Sequence, residues 1–589
     1  MASIRTGALV IFAAGFCVAA IQPFASLHQR ISMRDGVRLC TNIFRPSNVA
    51  RGPVILVRTP YGKQSVLTAN YQFFVDQGYA VVLQDVRGRY DSEGFFTPVS
   101  QETADGEDTL NWVGRQPWCD GNIGMMGGSY VGMTQWRAAL GNSPYLKAIF
   151  PVMAGSDDYL DRYYSPGGAL KLGHRLEWIA ENMKPTGFTP PPFRTIVDHL
   201  PLRTSDVAAA GRIVDYYQQA LNHPTYDTYW KERSTYRSLG RLKTPVFIVA
   251  GWYDNYAQSD LAAYSKLREK YPSSRIVIGP WPHNMSMRFP GTDFGPDAMA
   301  PIRTYQLRWF DYWLRRRGAL EWSESPVQVF VMGENRWRRL QKWPPDTVEM
   351  TPFFLDSGGR ANTLEGDGRL HRHAPRAAED DDFIYDPRDP VPTRGGAVCC
   401  NDVVFPWGPM NQQAVERRKD VLVYTSRPLK KDLEVIGPVR AILYVSSSAP
   451  DTDFTAKLVD VFPDGEARNL TDGILRLRYR NGLELPEPIT PGKVYPVTID
   501  VGVTANVFEA GHRIRLEVSS SNFPRFDRNP NTGRATAGET ELRTARQKLW
   551  HSPQRPSHLL LPVIPNANPK LTYPVRAGYL GKDPHFKAR

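Results

Sequence analysis

The chain has 589 residues and a mass of 66.5 kDa; 41% of the residues are hydrophobic, 22% charged and 11% aromatic. This composition supplies a large core and excludes intrinsic disorder for the bulk, and at about 150 residues per domain the length makes roughly four domains or two to three larger ones. Lys and Arg number 72 against 60 Asp and Glu, a formal charge of +12, but the basic residues are scattered, with short runs at 315–317 (RRR) and 336–339 (RWRR) that read as solvated faces, so no nucleic-acid partner is expected.

Residues 1–20 read MASIRTGALVIFAAGFCVAA. Arg5 precedes an uncharged apolar stretch, and Val18 and Ala20 are small residues at a cleavage-like position. A cleaved export signal is expected, with a secreted or periplasmic product and no stable membrane insertion after its removal; the alternative is an uncleaved anchor. Phe16 before Cys17 argues against lipid attachment. A mean hydropathy of −0.41 excludes a polytopic membrane protein. Loss of the leader leaves Cys40, Cys119, Cys399 and Cys400, which allow three pairings. Cys399 and Cys400 are adjacent, so free thiols and two separate partners are equally open. No spacing resembles a zinc site.

Short apolar runs then alternate with helical patterns. PVILVR (53–58) predicts a strand, followed by the loop RTPYGK (58–63), in which the Tyr61 phenol can serve as an oxyanion donor. YAVVLQD (79–85) predicts a second strand and 103–114 a helix. NIGMMG (122–127) predicts a strand that runs into GGSYVG and a helix over 130–140. A serine on a tight strand-to-helix turn needs small neighbours and points at a helix amino terminus. Ser129 is therefore the candidate nucleophile. The pattern is G-x-S-x-x-G, with Val131 where the usual motif has glycine. LKAIFPV (146–152) predicts a further strand.

Residues 155–240 interrupt the alternation with helical patterns such as 169–183 and 211–221, as a cap over a site would. Asp157, Asp158 and Asp161 open this stretch, either as an amine-binding cluster or as an acidic helix start. PVFIVAG (245–251) leads into GWYDNY, and RIVIGP (275–280) into GPWPHN. Asp254 and His283 thus follow two strands in the order Ser, Asp, His expected of α/β hydrolases. A serine hydroxyl needs that base, and the base needs that carboxylate. His371 and His373 form an HRH pair in a charged loop without partners. From about residue 350 the texture changes to short strands: 420–426, 439–447, 454–462, 473–480, 495–502 and 512–520. These suggest a β-sandwich, in the form of a jelly roll.

PYGK (60–63), QDVRGRYDSEGFF (84–96), WCDGNIGMMGGSYVGMTQW (118–136), GWYDNY, GPWPHN and SSSNFPRFDRNPNTG (519–533) together resemble the cocaine-esterase-like (CocE/NonD) serine hydrolases of the X-prolyl dipeptidyl-peptidase group. The resemblance spans roughly 30–570 and keeps motif order. It implies Ser129 as nucleophile, His283 as base, Asp254 as its orienting partner, and an oxyanion hole from the Tyr61 O–H and the Tyr130 backbone N–H. It also implies an α/β-hydrolase core with an inserted helical cap and an all-β jelly-roll domain.

The expected fold class is therefore α/β with a carboxy-terminal β-domain. The expected units are a signal over 1–20, a core over 27–154 and 241–349, a cap over 155–240, and a jelly roll over 350–589. Trp136, Trp252 and Trp281 flank the catalytic segments and are candidates for lining an aromatic acyl pocket. The expected activity is cleavage of a small-molecule ester, amide or short peptide through an acyl-enzyme, without metal or cofactor. An Xaa-Pro dipeptidyl peptidase is the alternative within enzymes, and a non-catalytic surface-binding protein the alternative outside them. The large β-domain permits a homodimer.

Overall fold

The computed structural model describes residues 23–320, 322–376, 379–399 and 401–565; the leader expected over 1–20 and Cys400 lie outside them. The first sheet begins with β1 (Pro23–Ser32), β2 (Arg38–Pro46), β3 (Gly52–Thr59) and β4 (Ala80–Asp85). It continues with β5 (Cys119–Gly128), β6 (Leu146–Val152), β7 (Phe247–Gly251) and β8 (Arg275–Gly279). A small hairpin, β9 (Arg288–Phe289) and β10 (Thr292–Asp293), precedes β11 (Val327–Val331) and β12 (Arg336–Leu340).

Ten of these strands join in the order β1-β2-β4-β3-β5-β6-β7-β8-β11-β12. From β4 to β11 every neighbouring pair is parallel, whereas β1, β2 and β12 run antiparallel at the two edges. Every residue of β3, β4, β7, β8 and β11 is buried. Helices cover both faces of a parallel sheet, so its strands read as unbroken apolar runs. Those helices include α1 (Ala69–Asp76), α2 (Glu102–Gly114) and α3 (Tyr130–Leu140).

Between β6 and β7 the chain leaves the sheet. A π-helical turn over Tyr159–Tyr163, α4 (Leu172–Asn182) and five shorter helices build the insertion. Its core is Tyr159, Tyr164, Leu176, Ile179, Tyr217 and Trp230, with Phe523 of the distal β-unit packed among them. The chain then re-enters the sheet, and α5 (Ala257–Lys270) and α6 (Ile302–Arg315) complete the helical layers.

A second sheet of twelve strands lies between residues 349 and 563. It is almost wholly antiparallel, and its alternating inward residues, such as Val439, Ala441, Leu443 and Val445, fill a core continuous with that of the first sheet. The RWRR run is only in part a solvated face: Arg336 is exposed, but the next two residues are buried. It forms β12, where Trp337 is buried and the Arg338 guanidinium is held by Glu334 and Glu434. Cys40 and Cys119 are free and buried, and Cys399 is in a disulfide, which removes the free-thiol option for that residue. Among the described residues no helix is long and apolar enough to cross a membrane.

Candidate active site

β5 ends at Gly128 and α3 begins at Tyr130, so Ser129 alone makes the turn. Its backbone is left-handed, with φ 56° and ψ −126°, a conformation that costs a non-glycine residue of order 1–3 kcal/mol and persists only when its surroundings impose it. Here the Ser129 N–H donates to Val152 O at 2.9 Å, and its carbonyl accepts from the N–H groups of Gly132 and Met133.

The packing explains the departure from the usual motif. Gly127 has φ 137°, and a Cβ there would overlap Val131 Cγ1. The bulk absent at 127 is present at 131. At position 132 a Cβ would collide with Ala154, so the last glycine lets α3 approach the end of β6.

Ser129 opens into a narrow cavity lined by Tyr61, Tyr130, Asp158, Arg162, Tyr163, Arg175, Trp178 and Tyr256, with Pro98 and Val99 at its edge. Tyr61 is half-exposed, and its phenol oxygen accepts from the Trp178 indole N–H at 3.4 Å. Tyr130, the first residue of α3, presents a backbone N–H that no preceding helical turn can accept. Its ring stacks on that of Trp178 at 6.5 Å, and its phenol donates to Glu102 at 3.0 Å; burial and the Glu102 charge push the phenol well above its ordinary value. Glu102 in turn is fully buried against Arg58 at 2.7 Å, so a charged brace underlies the turn.

Asp254 follows β7 and His283 follows β8. His283 Nδ1 lies 2.6 Å from Asp254 Oδ2, and Asp254 is 1% exposed. Asp254 Oδ1 accepts from the Tyr256 N–H at 2.9 Å, which fixes the carboxylate. The Tyr256 ring, which lines the Ser129 cavity, sits 5.7 Å from the His283 ring.

The three candidate tryptophans do not line this cavity. Trp136, Trp252 and Trp281 are at most 2% exposed. Trp136 fills the core beneath α3; Trp252 donates to Phe330 O at 2.7 Å and Trp281 to Ala298 O at 3.1 Å. Residues just past a strand end can fold back over it, as Trp281 does over Gly279. The aromatic residues that line it are Tyr61, Tyr130 and Tyr256 together with two from the insertion, Tyr163 and Trp178. The sequence neighbourhood of Tyr163 and Trp178 carries no marker for this, because the partners they meet are far away along the chain.

The acidic cluster also separates. Asp157 accepts from Tyr226, Ser234 and the Leu160 N–H, and Asp161 from Ser259 and the N–H groups of Ser156 and Asp157. Burial and the Asp157 charge push Asp161 up to about 7. Both are structural. Only Asp158 reaches the Ser129 cavity, where Arg162 pairs with it at 2.6 Å. Elsewhere His28, Cys40 and Asp91 bring metal-ligand atoms within 4.8 Å of one another, but the Lys63 ammonium already sits 2.6 Å from Asp91.

Residues 35–285 match the X-Pro dipeptidyl-peptidase (S15 family) domain, and residues 321–560 the X-Pro dipeptidyl-peptidase C-terminal non-catalytic domain. The chain is 43% identical over 565 residues to a cocaine esterase of Rhodococcus sp. (strain MB1 Bresler), an alignment covering 91% of this chain and 97% of that one. An aminopeptidase from the marine sediment archaeon Thaumarchaeota archaeon superposes with a TM-score of 0.82 at 26% identity, over 95% of this chain and 99% of that one. An α-amino acid ester hydrolase superposes with a TM-score of 0.80 at 25% identity, over 92% and 97%.

Proposed function

The chain belongs to the cocaine-esterase-like serine hydrolases of the X-Pro dipeptidyl-peptidase group, and from that premise we propose that Ser129 attacks the carbonyl of a small acyl ester to form a covalent acyl-enzyme. His283 takes the serine proton through Nε2 while Asp254 holds Nδ1, fixing the tautomer and stabilising the imidazolium that forms. The tetrahedral oxyanion receives the Tyr61 O–H and the Tyr130 N–H. The Tyr61 oxygen already accepts from Trp178, so its own proton is left to donate. His283 then passes its proton to the leaving alcohol, and a water activated by the same imidazole releases the acid.

The observation that carries this reading is the strained serine at the head of the cavity after β5, with His283 paired to the buried Asp254 at the ends of β7 and β8. Backbone strain of this kind gathers where a side chain must be presented against local preference. Cleavage of an Xaa-Pro peptide requires an acidic group free for the substrate ammonium. Asp158, the acid in the cavity, is already neutralised by Arg162, which favours the ester. Export to the periplasm or medium remains part of the proposal, resting on the leader over residues 1–20.

The test is hydrolysis of an aryl acyl ester and an Xaa-Pro anilide by the purified protein, each repeated with Ser129→Ala. Ester cleavage should dominate, and Ser129→Ala should abolish it. Turnover at a normal rate in that variant would remove Ser129 from the chemistry; serine-dependent cleavage of the anilide alone would make the enzyme a dipeptidyl peptidase.

A further inference from the structure

Arg175 stands on α4, lines the Ser129 cavity and is 5% exposed. A buried arginine is ordinarily matched by a carboxylate, because an unpaired charge out of water is costly. Arg162 obeys this rule through Asp158, and Arg58 through Glu102. Among the described residues no carboxylate forms an ion pair with Arg175. Its Nε has no hydrogen-bond partner, and one Nη lies 3.2 Å from the His174 ring nitrogen Nε2. Burial and the neighbouring Arg175 charge push His174 well below its ordinary value, so that ring is a neutral acceptor and offers no compensating charge. What holds the guanidinium is aromatic and uncharged: it lies 5.1 Å from the Tyr163 ring, whose phenol oxygen also accepts from it, and 5.6 Å from the Trp178 ring.

The cavity charges are therefore Asp158 and Arg162, which cancel, and Arg175, which does not. A planar guanidinium with no carboxylate partner and an unpartnered Nε–H is suited to receive one from a substrate. The direction of the cavity says which part of the substrate brings it. His283, which serves the leaving group, is not among the lining residues, whereas Asp158, Arg162, Tyr163, Arg175 and Trp178 enclose the side formed by the insertion. That side suits the group that stays on Ser129.

We propose that Arg175 is a specificity residue that selects esters whose acyl group carries a carboxylate, that is, half-esters of dicarboxylic acids. The inference rests on the serine-hydrolase reading above and narrows its substrate class.

The experiment compares mono-4-nitrophenyl adipate with its methyl ester, which has the same acyl chain length but no charge. The quantity read is the ratio of the two kcat/KM values, so a general loss of activity cancels. The native enzyme should favour the anionic ester by about tenfold or more, the scale of one charge-assisted pair. Arg175→Met should bring the ratio to about one, and Arg175→Lys should restore part of it. A measurement on the native enzyme alone guards against a variant that does not fold: adipate should inhibit turnover of the methyl ester competitively, and adipamide at the same concentration should not. A ratio near one in the native enzyme, equal inhibition by adipate and adipamide, or a ratio unchanged in Arg175→Met would each overturn the proposal. Absence of Ser129-dependent nitrophenol release from both esters is a different result: it would overturn the hydrolase reading itself, and this proposal with it.

Discussion

Tyr61 reaches the cavity from a loop and is half-exposed, so something must hold its phenol in place; the Trp178 indole N–H does. Tyr61→Phe keeps the ring and removes the O–H, and should lower kcat about 10²-fold with little change in KM, the usual loss for one oxyanion donor. Trp178→Phe should lower kcat about threefold to tenfold, as expected for losing one hydrogen bond of about 1 kcal/mol. Because Trp178 acts through Tyr61, the double variant should be no slower than Tyr61→Phe by itself. Additive losses in that cycle would separate the two residues. Sequence pattern could point to Tyr61, which follows a strand and a proline. It could not point to Trp178, whose partner lies 117 residues away. The same limit misplaced Trp136, Trp252 and Trp281: their nearness to Ser129, Asp254 and His283 along the chain does not carry into the cavity, because each turns into the core.

The β5–α3 turn is an element whose parts are interdependent. Gly127→Ala places a Cβ against the Val131 side chain at φ 137°, where an L-residue is strained as well, and should cost about 2 kcal/mol or more in urea denaturation. Adding Val131→Ala should recover part of that loss, the strain at 127 remaining; no recovery would mean that the steric conflict lies elsewhere. In the all-β unit the corresponding joint is Asp381, fully buried and hydrogen-bonded to Tyr424, Ser357, His551 and the Ala361 N–H. Burial alone would raise its pKa, but these hydrogen bonds outweigh burial and hold it below the ordinary carboxylate value. Such a group adds stability above its unfolded value of about 3.9, and that stability is lost as pH falls through the folded value. Asp381→Asn should therefore lower the melting temperature at neutral pH, and the gap to the native protein should narrow as pH drops below about 4. A gap independent of pH would show that the ionised form is not what the fold selects. Elements buried on both faces, such as β3, β7 and β8, were legible as apolar runs. The strand β2 (RLCTNIFRP), between β1 and β4, was not, since it buries Thr41 and Asn42 through hydrogen bonds that no hydropathy pattern records.

At the scale of the whole molecule the all-β unit braces the catalytic half. The Gly173 N–H at the start of α4 donates to Pro524 O at 2.8 Å, and the Leu170 N–H to Asp527 at 2.8 Å. Tyr253, next to Asp254, donates to Asn469 O at 3.1 Å, and Gln258 donates to Asp500 at 2.6 Å. With one continuous apolar core running between the two sheets, calorimetry should show a single unfolding transition. Two resolved transitions, with serine-dependent activity surviving the first, would show that the halves stand independently. The existence of an α/β half, an inserted helical segment and a distal β-unit was readable from changes in periodicity. How they clasp one another was not, because those contacts join backbone and side-chain groups hundreds of residues apart.

Arg175 and Trp178 are three positions apart on α4, hence on neighbouring points of one helical face. If each has the part assigned to it, the helix that chooses the acyl group also steadies the phenol that stabilises the transition state. Laboratory evolution that randomises this face to change substrate preference should therefore yield strongly epistatic libraries, in which most clones with altered selectivity are also slow. Recovering speed would call for compensating changes in the loop that carries Tyr61, a segment with which α4 shares no sequence proximity.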